Sequence, residues 1–507
     1  MNSVSLDAAR PLDVERRPTL TPAAPGAKRS GTERLFLLEF NELCPQLLEQ
    51  FMAEGLLPNF WRFYASSEAY TTDAGESPDH LEPWIQWPTV HSGLPYAEHG
   101  VYRLGDGRKL ASKCVAEALS DAGVRVGVCG SMNTNYRAVN GYVLPDAWDK
   151  GAEAHPAALS AYSGTLARLV QESSRDKASK KDLLNFGWFL AKHGLTAGAV
   201  WQAVKQLAAE RFDKGLGWRR ACVLDRFQYD LFRTLNRRHR VRFGTFFCNS
   251  TAHFQHYYWR NMEPGAFAVP PPETDSPSLR TAIRTGYERM DRLVGRFLRH
   301  YGRDRLILCT ALSQQPWADT TKCTYRPVGF DRLFAFAGVA LPKAAAKPVM
   351  AEQFHLTCGT PAAAEVAEAL LKDLSFGNEP LMAVRRDGAN LFAGCRVFVP
   401  GVMDKPVVRQ STGETKLFRE LFYPIHTMRS GRHHPDGVLW VRTGTHKVVK
   451  DRVPLTAVAP TILAHFGVEA DATVAHRAIP LLAATRRLCA AERVPRPTPV
   501  TVIVRLQ

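Results

Sequence analysis

The run Leu35-Phe36-Leu37-Leu38-Glu39-Phe40 is apolar with almost no alternation. A strand that is apolar on both sides has to be covered on both sides, which is the condition of a parallel sheet held between helical layers. The segments that follow keep to that plan. Pro45–Glu54 reads as a helix stopped by Gly55, and Pro58 opens another through about Tyr64. Ala111–Ala122 reads as a helix ended by Gly123, and Val124–Cys129 as the next short apolar strand. Strand and helix patterns return at Val241–Cys248, Leu279–Tyr301 and Leu306–Thr310, and again at Gly437–Val441 and Leu455–Phe466. The alternation predicts an α/β fold: a mostly parallel central sheet with helices on both faces, plus a helical insertion and a small α+β subdomain.

The interruptions set the expected boundaries. Residues 1–32, rich in Pro, Ala, Ser and Arg, read as a disordered leader without a hydrophobic signal core. The core is expected in three parts, 33–154, 241–349 and 401–485. A basic helical insertion fills 155–240, and a small subdomain fills 350–400, with a hairpin turning at Asp387-Gly388. Residues 486–507 are left as a C-terminal tail. No internal repeat at solenoid periods is visible.

Charge and cysteines bound the partners. A net charge of +16 over 507 residues suits anionic ligands. Between Lys205 and Arg242 there are eleven Lys or Arg against four Asp or Glu, which reads as a solvated charged face or as an anion-binding or peripheral membrane contact. No zinc-ribbon, P-loop or helix-turn-helix signature is present, and nucleic acid is not expected as a partner. The ten cysteines have no paired spacing and several sit in apolar runs, so a reducing, cytoplasmic setting is expected. No run of 18 apolar residues predicts a membrane span.

The segment Trp87-Pro88-Thr89-Val90-His91-Ser92-Gly93-Leu94-Pro95, closed by Glu98-His99-Gly100, carries the most chemistry. Thr89 follows a proline and reads as opening a short helix. There the unpaired N–H groups and the dipole favour an alkoxide or a bound anionic ester. An N-cap is the alternative role for the same hydroxyl.

In order, these segments resemble the alkaline phosphatase superfamily, nearest its type I phosphodiesterase/nucleotide pyrophosphatase branch. The resemblance rests on Leu35 to about Gly105, on Phe246–Trp259 with Asn249-Ser250-Thr251-Ala252-His253, and on His433-His434-Pro435-Asp436-Gly437-Val438 through Leu463. It covers roughly half the chain. It implies a Thr nucleophile at Thr89 and metal ligands at Asn41, Asn249, His253 and His434, with His433 as the alternative to its neighbour. Where the family has Asp, this chain has Asn41 and Asn249; where it has Asp-His-Gly, the chain reads Thr310-Ala311-Leu312-Ser313-Gln314-Gln315-Pro316. Fewer carboxylates imply one divalent ion, with Mg²⁺, Ca²⁺ or Mn²⁺ favoured over a zinc pair. Glu39 and Glu42 flank Asn41 as further sources of charge.

Other residues are candidates for substrate contact. Arg103 suits bidentate pairing with a phosphate, Trp87 belongs to an aromatic approach to Thr89, His256 shares a helix face with His253, and Gln314 sits where a metal ligand is expected. The expected function is hydrolysis or transfer of a phosphate (or sulfate) ester of a charged metabolite or glycan precursor. The rival is an inactive superfamily member that binds an anionic glycan or nucleotide.

Overall fold

The computed structural model describes residues 33–149, 152–160, 162, 180–348, 352–424, 428–470 and 478–479. The leader 1–32 and the tail 486–507 expected above lie outside the described residues.

The expected α/β architecture is present. The central sheet has nine strands: β1 (Leu35–Phe40), β2 (Ser67–Asp73), β3 (Val126–Cys129), β4 (Gly141–Leu144), β5 (Phe243–Cys248), β6 (Arg305–Cys309), β7 (Asp436–Arg442), β8 (Lys447–Val448) and β9 (Val453–Pro454). Their order is β8-β2-β7-β6-β1-β5-β3-β4, with β9 also on β2. All pairings are parallel except those of β7, which runs antiparallel to both β2 and β6.

β1 sits at the centre and is buried along its whole length. Phe36, Leu38 and Phe40 enter one core, with helices Pro58–Tyr64, Arg220–Arg238, Ser250–Met262 and Ala282–Tyr301. Leu35 and Leu37 enter the other, with helices Pro83–Ser92, Val115–Asp121 and Val458–Phe466. Two covered faces explain why the strand does not alternate. A third core gathers residues between Tyr325 and Phe422 around two four-stranded antiparallel sheets. The expected hairpin lies in one of these sheets: Asp387 pairs with Asn390, and Gly388 takes the positive φ of 57° that the turn requires.

Two elements differ from expectation. β2, Ser67-Glu68-Ala69-Tyr70-Thr71-Thr72-Asp73, has a polar sequence that hid it, yet it is held along its length by antiparallel β7. The helix containing Thr89 begins at Pro83 and continues through Pro88 to Ser92.

Candidate functional site

Open α/β sheets gather ligands beyond the carboxyl ends of their strands. Here Asn41 and Glu42 follow β1, Asn249 follows β5, and Thr310–Leu312 follow β6. Two further pieces close over this edge. The helix Ser250–Met262 carries His256, and an antiparallel ribbon pairs Ser313–Pro316 with Gly431–His434, setting His433 opposite Gln314. The ribbon comes close to the helix because residue 431 is glycine. A Cβ there would lie 2.5 Å from the Gln255 carbonyl oxygen and 2.6 Å from Gln314 Oε1.

Glu42, His256 and His433 offer ligand atoms that all lie within 4.8 Å of one another. Glu42 Oε2 is 3.0 Å from His256 Nε2 and 3.2 Å from His433 Nε2. Each imidazole is also held from behind: His256 Nδ1 is 3.4 Å from the Gly431 carbonyl oxygen, and His433 Nδ1 is 3.4 Å from Glu82 Oε2. An acceptor behind each ring, the buried Gly431 carbonyl for one and the partly exposed Glu82 carboxylate for the other, fixes its orientation and leaves both Nε2 atoms facing the carboxylate, the arrangement that orients metal-bound histidines. Glu42 is itself supported. Asn41 Nδ2 donates to Oε1 at 2.6 Å and Gln314 Nε2 to Oε2 at 2.6 Å, while Gln255 Nε2 donates to the Glu42 carbonyl oxygen at 2.7 Å. Glu42 has a φ of 59°, in the left-handed region that an L side chain rarely adopts. Such backbone persists only where the surroundings enforce it, and it clusters at functional sites.

The charges are consistent with this geometry. Burial pushes the Glu42 carboxyl up, but the charges of His433 and His256 outweigh it and hold the group well below the usual carboxylate range. Burial works against a charged His433, yet Glu42 and Glu82 raise its pKa above the ordinary value. Burial lowers that of His256. Burial raises the Glu82 carboxyl. Arg429 and Lys322 supply positive charge near Glu82 and Glu352.

The residues expected at the site fall into three groups. Asn41, Asn249 and Gln314 are present as supports: Asn41 donates to Asn249 Oδ1 at 2.7 Å as well as to Glu42, and Gln314 also donates to the Ala252 carbonyl oxygen at 3.0 Å. His256, expected to contact substrate, stands in the cluster itself. His253 and His434 are each displaced from it by simple periodicity. His253 lies one turn before His256, and its ring packs on Tyr257 with centroids 5.0 Å apart. His434 follows His433 on a strand and so points to the other side, where its Nδ1 accepts from Asp436 N at 3.1 Å. Of the residues expected as ligands, Asn41 and Asn249 thus stand as supports and His253 and His434 stand apart, while the group whose ligand atoms converge is Glu42, His256 and His433, the last being the expected alternative to His434.

Trp87 and Arg103 have other partners. Trp87 is fully buried and donates from Nε1 to Asn41 Oδ1 at 2.8 Å, which leaves its ring no face for substrate. The same helix meets β1 again one turn later, where His91 Nε2 is 3.0 Å from Glu39 Oε1. Thus Glu39 near the end of β1 and Asn41 just beyond it face His91 and Trp87 respectively, four apart on the helix. Arg103 lies over the Phe392 ring, 5.2 Å from its centroid, and 3.8 Å from Asp387, in contact with the small subdomain.

Thr89 is the largest departure. Pro88 has no N–H to give the Trp84 carbonyl, and Asn133 Nδ2 bonds that oxygen instead at 2.7 Å. The helix therefore runs through the proline, with Glu82 as its N-cap and Thr89 in its interior. A rise of 1.5 Å per residue puts Thr89 about 10 Å along the axis from Glu82. The Thr89 hydroxyl donates to the Ile85 carbonyl oxygen at 3.4 Å and lies 3.1 Å from His99 Nε2. Val101 N donates to His99 Nδ1 at 3.0 Å, which leaves the proton of the neutral ring on Nε2. His99 thus donates to Thr89 and does not act as its base.

Reasoning from sequence missed three residues: Gln255, Glu82 as the partner of His433, and Arg429. Spacing alone could have raised Gln255, which lies between the two histidine positions.

No protein-family model matches the chain, and no curated protein matches it. Among solved structures it is similar to wild-type alkaline phosphatase PafA, with TM-score 0.45 and 10% identity over 89% of this chain and 99% of that one. It is similar to phosphonoacetate hydrolase from Sinorhizobium meliloti 1021 in complex with phosphonoacetate, with TM-score 0.39 and 11% identity over 85% and 95%. A murine ectonucleotide pyrophosphatase / phosphodiesterase 5 gives TM-score 0.36 and 10% identity over 86% and 96%. By name these are proteins of the kind the sequence segments resemble. Likenesses this distant carry no argument about chemistry, and the functional reading rests on the site.

Proposed function

We propose that the chain is an enzyme of the alkaline phosphatase superfamily that hydrolyses or transfers a phosphate (or sulfate) ester of an anionic small molecule or glycan precursor, with one divalent metal held by Glu42, His256 and His433. The observation that carries this reading is the pair of imidazoles whose Nε2 atoms meet at one Glu42 oxygen while their Nδ1 atoms are held by Gly431 and Glu82. The donor set fits an ion. Both Nε2 atoms and the Glu42 oxygen converge within 4.8 Å, and two imidazoles with one carboxylate suit Mn²⁺, Fe²⁺ or Zn²⁺ better than Ca²⁺ or Mg²⁺. A single anionic ligand supports one ion rather than a pair.

An ion held there supplies Lewis-acid polarisation of the ester. The residues of the chain do the rest. Gln314 and Asn41 fix the Glu42 carboxylate, Glu82 and the Gly431 carbonyl fix the two rings, and Arg429 and Lys322 bring positive charge to an incoming anion. The test is a screen of phosphomonoesters, phosphodiesters and sulfate esters with added Mn²⁺, Zn²⁺ or Mg²⁺, against His433→Ala. Metal-dependent turnover that this variant abolishes supports the proposal, and turnover unchanged in the variant contradicts it.

A second reading has its own observation. The Thr89 hydroxyl bonds the Ile85 carbonyl of its own helix and His99, which supports a reading without a Thr89 nucleophile. A protein that binds an anionic glycan or nucleotide without cleaving it is consistent with that. It predicts ligand binding without turnover in the same screen.

A further inference from the structure

The helix Ala197–Phe212 is inverted, and Lys180–Lys192 before it, although it buries Phe186, Phe189 and Leu190 in the core, also carries large apolar side chains on its outer side. A helix on a soluble domain normally turns its apolar stripe to the core. On Ala197–Phe212 the fully buried residue is the small Ala199, and Gln206 spends its amide on Glu210 and the Leu216 carbonyl. The large apolar side chains face outward: Trp201 is 59% exposed, Leu207 61% and Phe212 91%, with Val204 between them. On the preceding helix Leu184 and Trp188, four apart, are each 74% exposed. Basic residues lie among them. Lys205 sits over the Trp201 ring, 5.1 Å from its centroid, and Lys192, Arg211 and Lys214 are exposed.

The exposed face belongs to a firmly attached element. Thr196, the N-cap of the second helix, donates to Asp230 at 2.7 Å and accepts from Arg226 Nη2 at 2.8 Å. Arg226 and Asp230 form a buried ion pair on the long helix Arg220–Arg238 that packs on the sheet. The N-terminal end of the second helix is thus tied to the fold.

We infer that these two helices dock on the surface of an anionic lipid bilayer. Two exposed tryptophans with exposed Leu and Phe, and with exposed Lys and Arg on the same or adjoining segments, form the composition of interfacial helices, in which the rings enter the headgroup boundary and the cations meet anionic lipid. The net charge of +16 gives long-range attraction of the same sign. No described helix is long and apolar enough to cross a membrane, so the contact is one of lying on the surface. The inference does not rest on the proposed function, because neither helix contributes a residue to the Glu42 cluster.

The full-length chain is sedimented with phosphatidylcholine vesicles, with and without phosphatidylserine, beside Trp188→Glu/Trp201→Glu. The expected result is binding that requires phosphatidylserine, weakens as salt rises, and falls at least about tenfold in the double variant. A second variant, Lys205→Glu/Arg211→Glu, is expected to lose binding in the same way; unchanged circular dichroism melting shows that both fold. Three results overturn the inference: no binding to either vesicle, equal binding to both, or a self-associated state in sizing experiments that Trp188→Glu/Trp201→Glu disperses, which would make a second copy the occupant.

Discussion

Gln314 and His433 stand opposite each other on the antiparallel ribbon, and both reach the same oxygen of Glu42, at 2.6 and 3.2 Å. The ribbon therefore delivers a ligand and its support together. Whatever shifts the ribbon shifts both, and Gly431 is where the ribbon backbone lies closest over the Gln255 carbonyl of the helix below.

Gly431→Ala is expected to displace the ribbon, because the new methyl would meet the Gln255 carbonyl oxygen and Gln314 Oε1 at 2.5 and 2.6 Å. Overpacking of this kind costs about 1–3 kcal/mol. Chemical denaturation should show that loss, and titration with Mn²⁺ or Zn²⁺ should show weakened affinity. Wild-type affinity in a destabilised variant would mean that the ribbon does not position His433.

Glu82→Gln removes the charge behind His433 while keeping an oxygen that can accept its Nδ1 proton. Loss of such an orienting carboxylate typically costs 10–100-fold in metal affinity. Calorimetric titration should find a drop of roughly tenfold or more with the melting temperature nearly unchanged. Equal affinity would reduce Glu82 to a bystander at the helix N-terminus.

Thr89→Ala is expected to leave turnover and metal binding close to wild type. It removes one hydroxyl bonded within a helix, and such a loss costs about 1 kcal/mol. Steady-state kinetics on any ester the chain cleaves decides this. Complete loss of activity in a folded variant would restore Thr89 as the nucleophile.

Much of this outline can be read from the sequence, and the failures have local causes. The six apolar residues of β1, the proline starts at Pro45 and Pro58 and the turn at Gly388 are decided by neighbouring residues alone. β2 is decided by β7, more than 350 residues later in the chain, so its polar sequence gives no local sign. Pro88 suggests a helix start unless Asn133 is known to take over the Trp84 carbonyl. The site was legible to within one step of the helix or strand period. The right segments are legible, with His433 as an alternative, His256 as a substrate contact and Glu42 as a source of charge, while the ligand roles are assigned to the neighbouring His434, His253 and Asn41. The choice between His433 and His434 depends on which face of the strand meets the centre, that between His253 and His256 on which turn of one helix face does, and that of Glu42 on a positive φ that a Glu side chain does not announce.

Acid should destabilise the protein through His99. Burial lowers its pKa from about 6.5 to about 4. The unfolded chain then binds the proton more readily than the folded one, so stability rises with pH in this window. The contribution is complete above about pH 6.5 and is lost as pH falls through about 4, with a size of about 3 kcal/mol. Melting temperatures across pH 4–7 should fall more steeply in wild type than in His99→Gln, which does not titrate. Parallel profiles would remove His99 from the account.

The central claim is that Glu42, His256 and His433 hold one divalent ion. The direct measurement is metal content per chain after dialysis against Mn²⁺, Fe²⁺ or Zn²⁺, for wild type and for His256→Ala. The account predicts one ion in wild type, little or none in the variant, and the same melting of secondary structure in both metal-free proteins. Equal metal content in wild type and variant, or two ions retained by wild type, would contradict it.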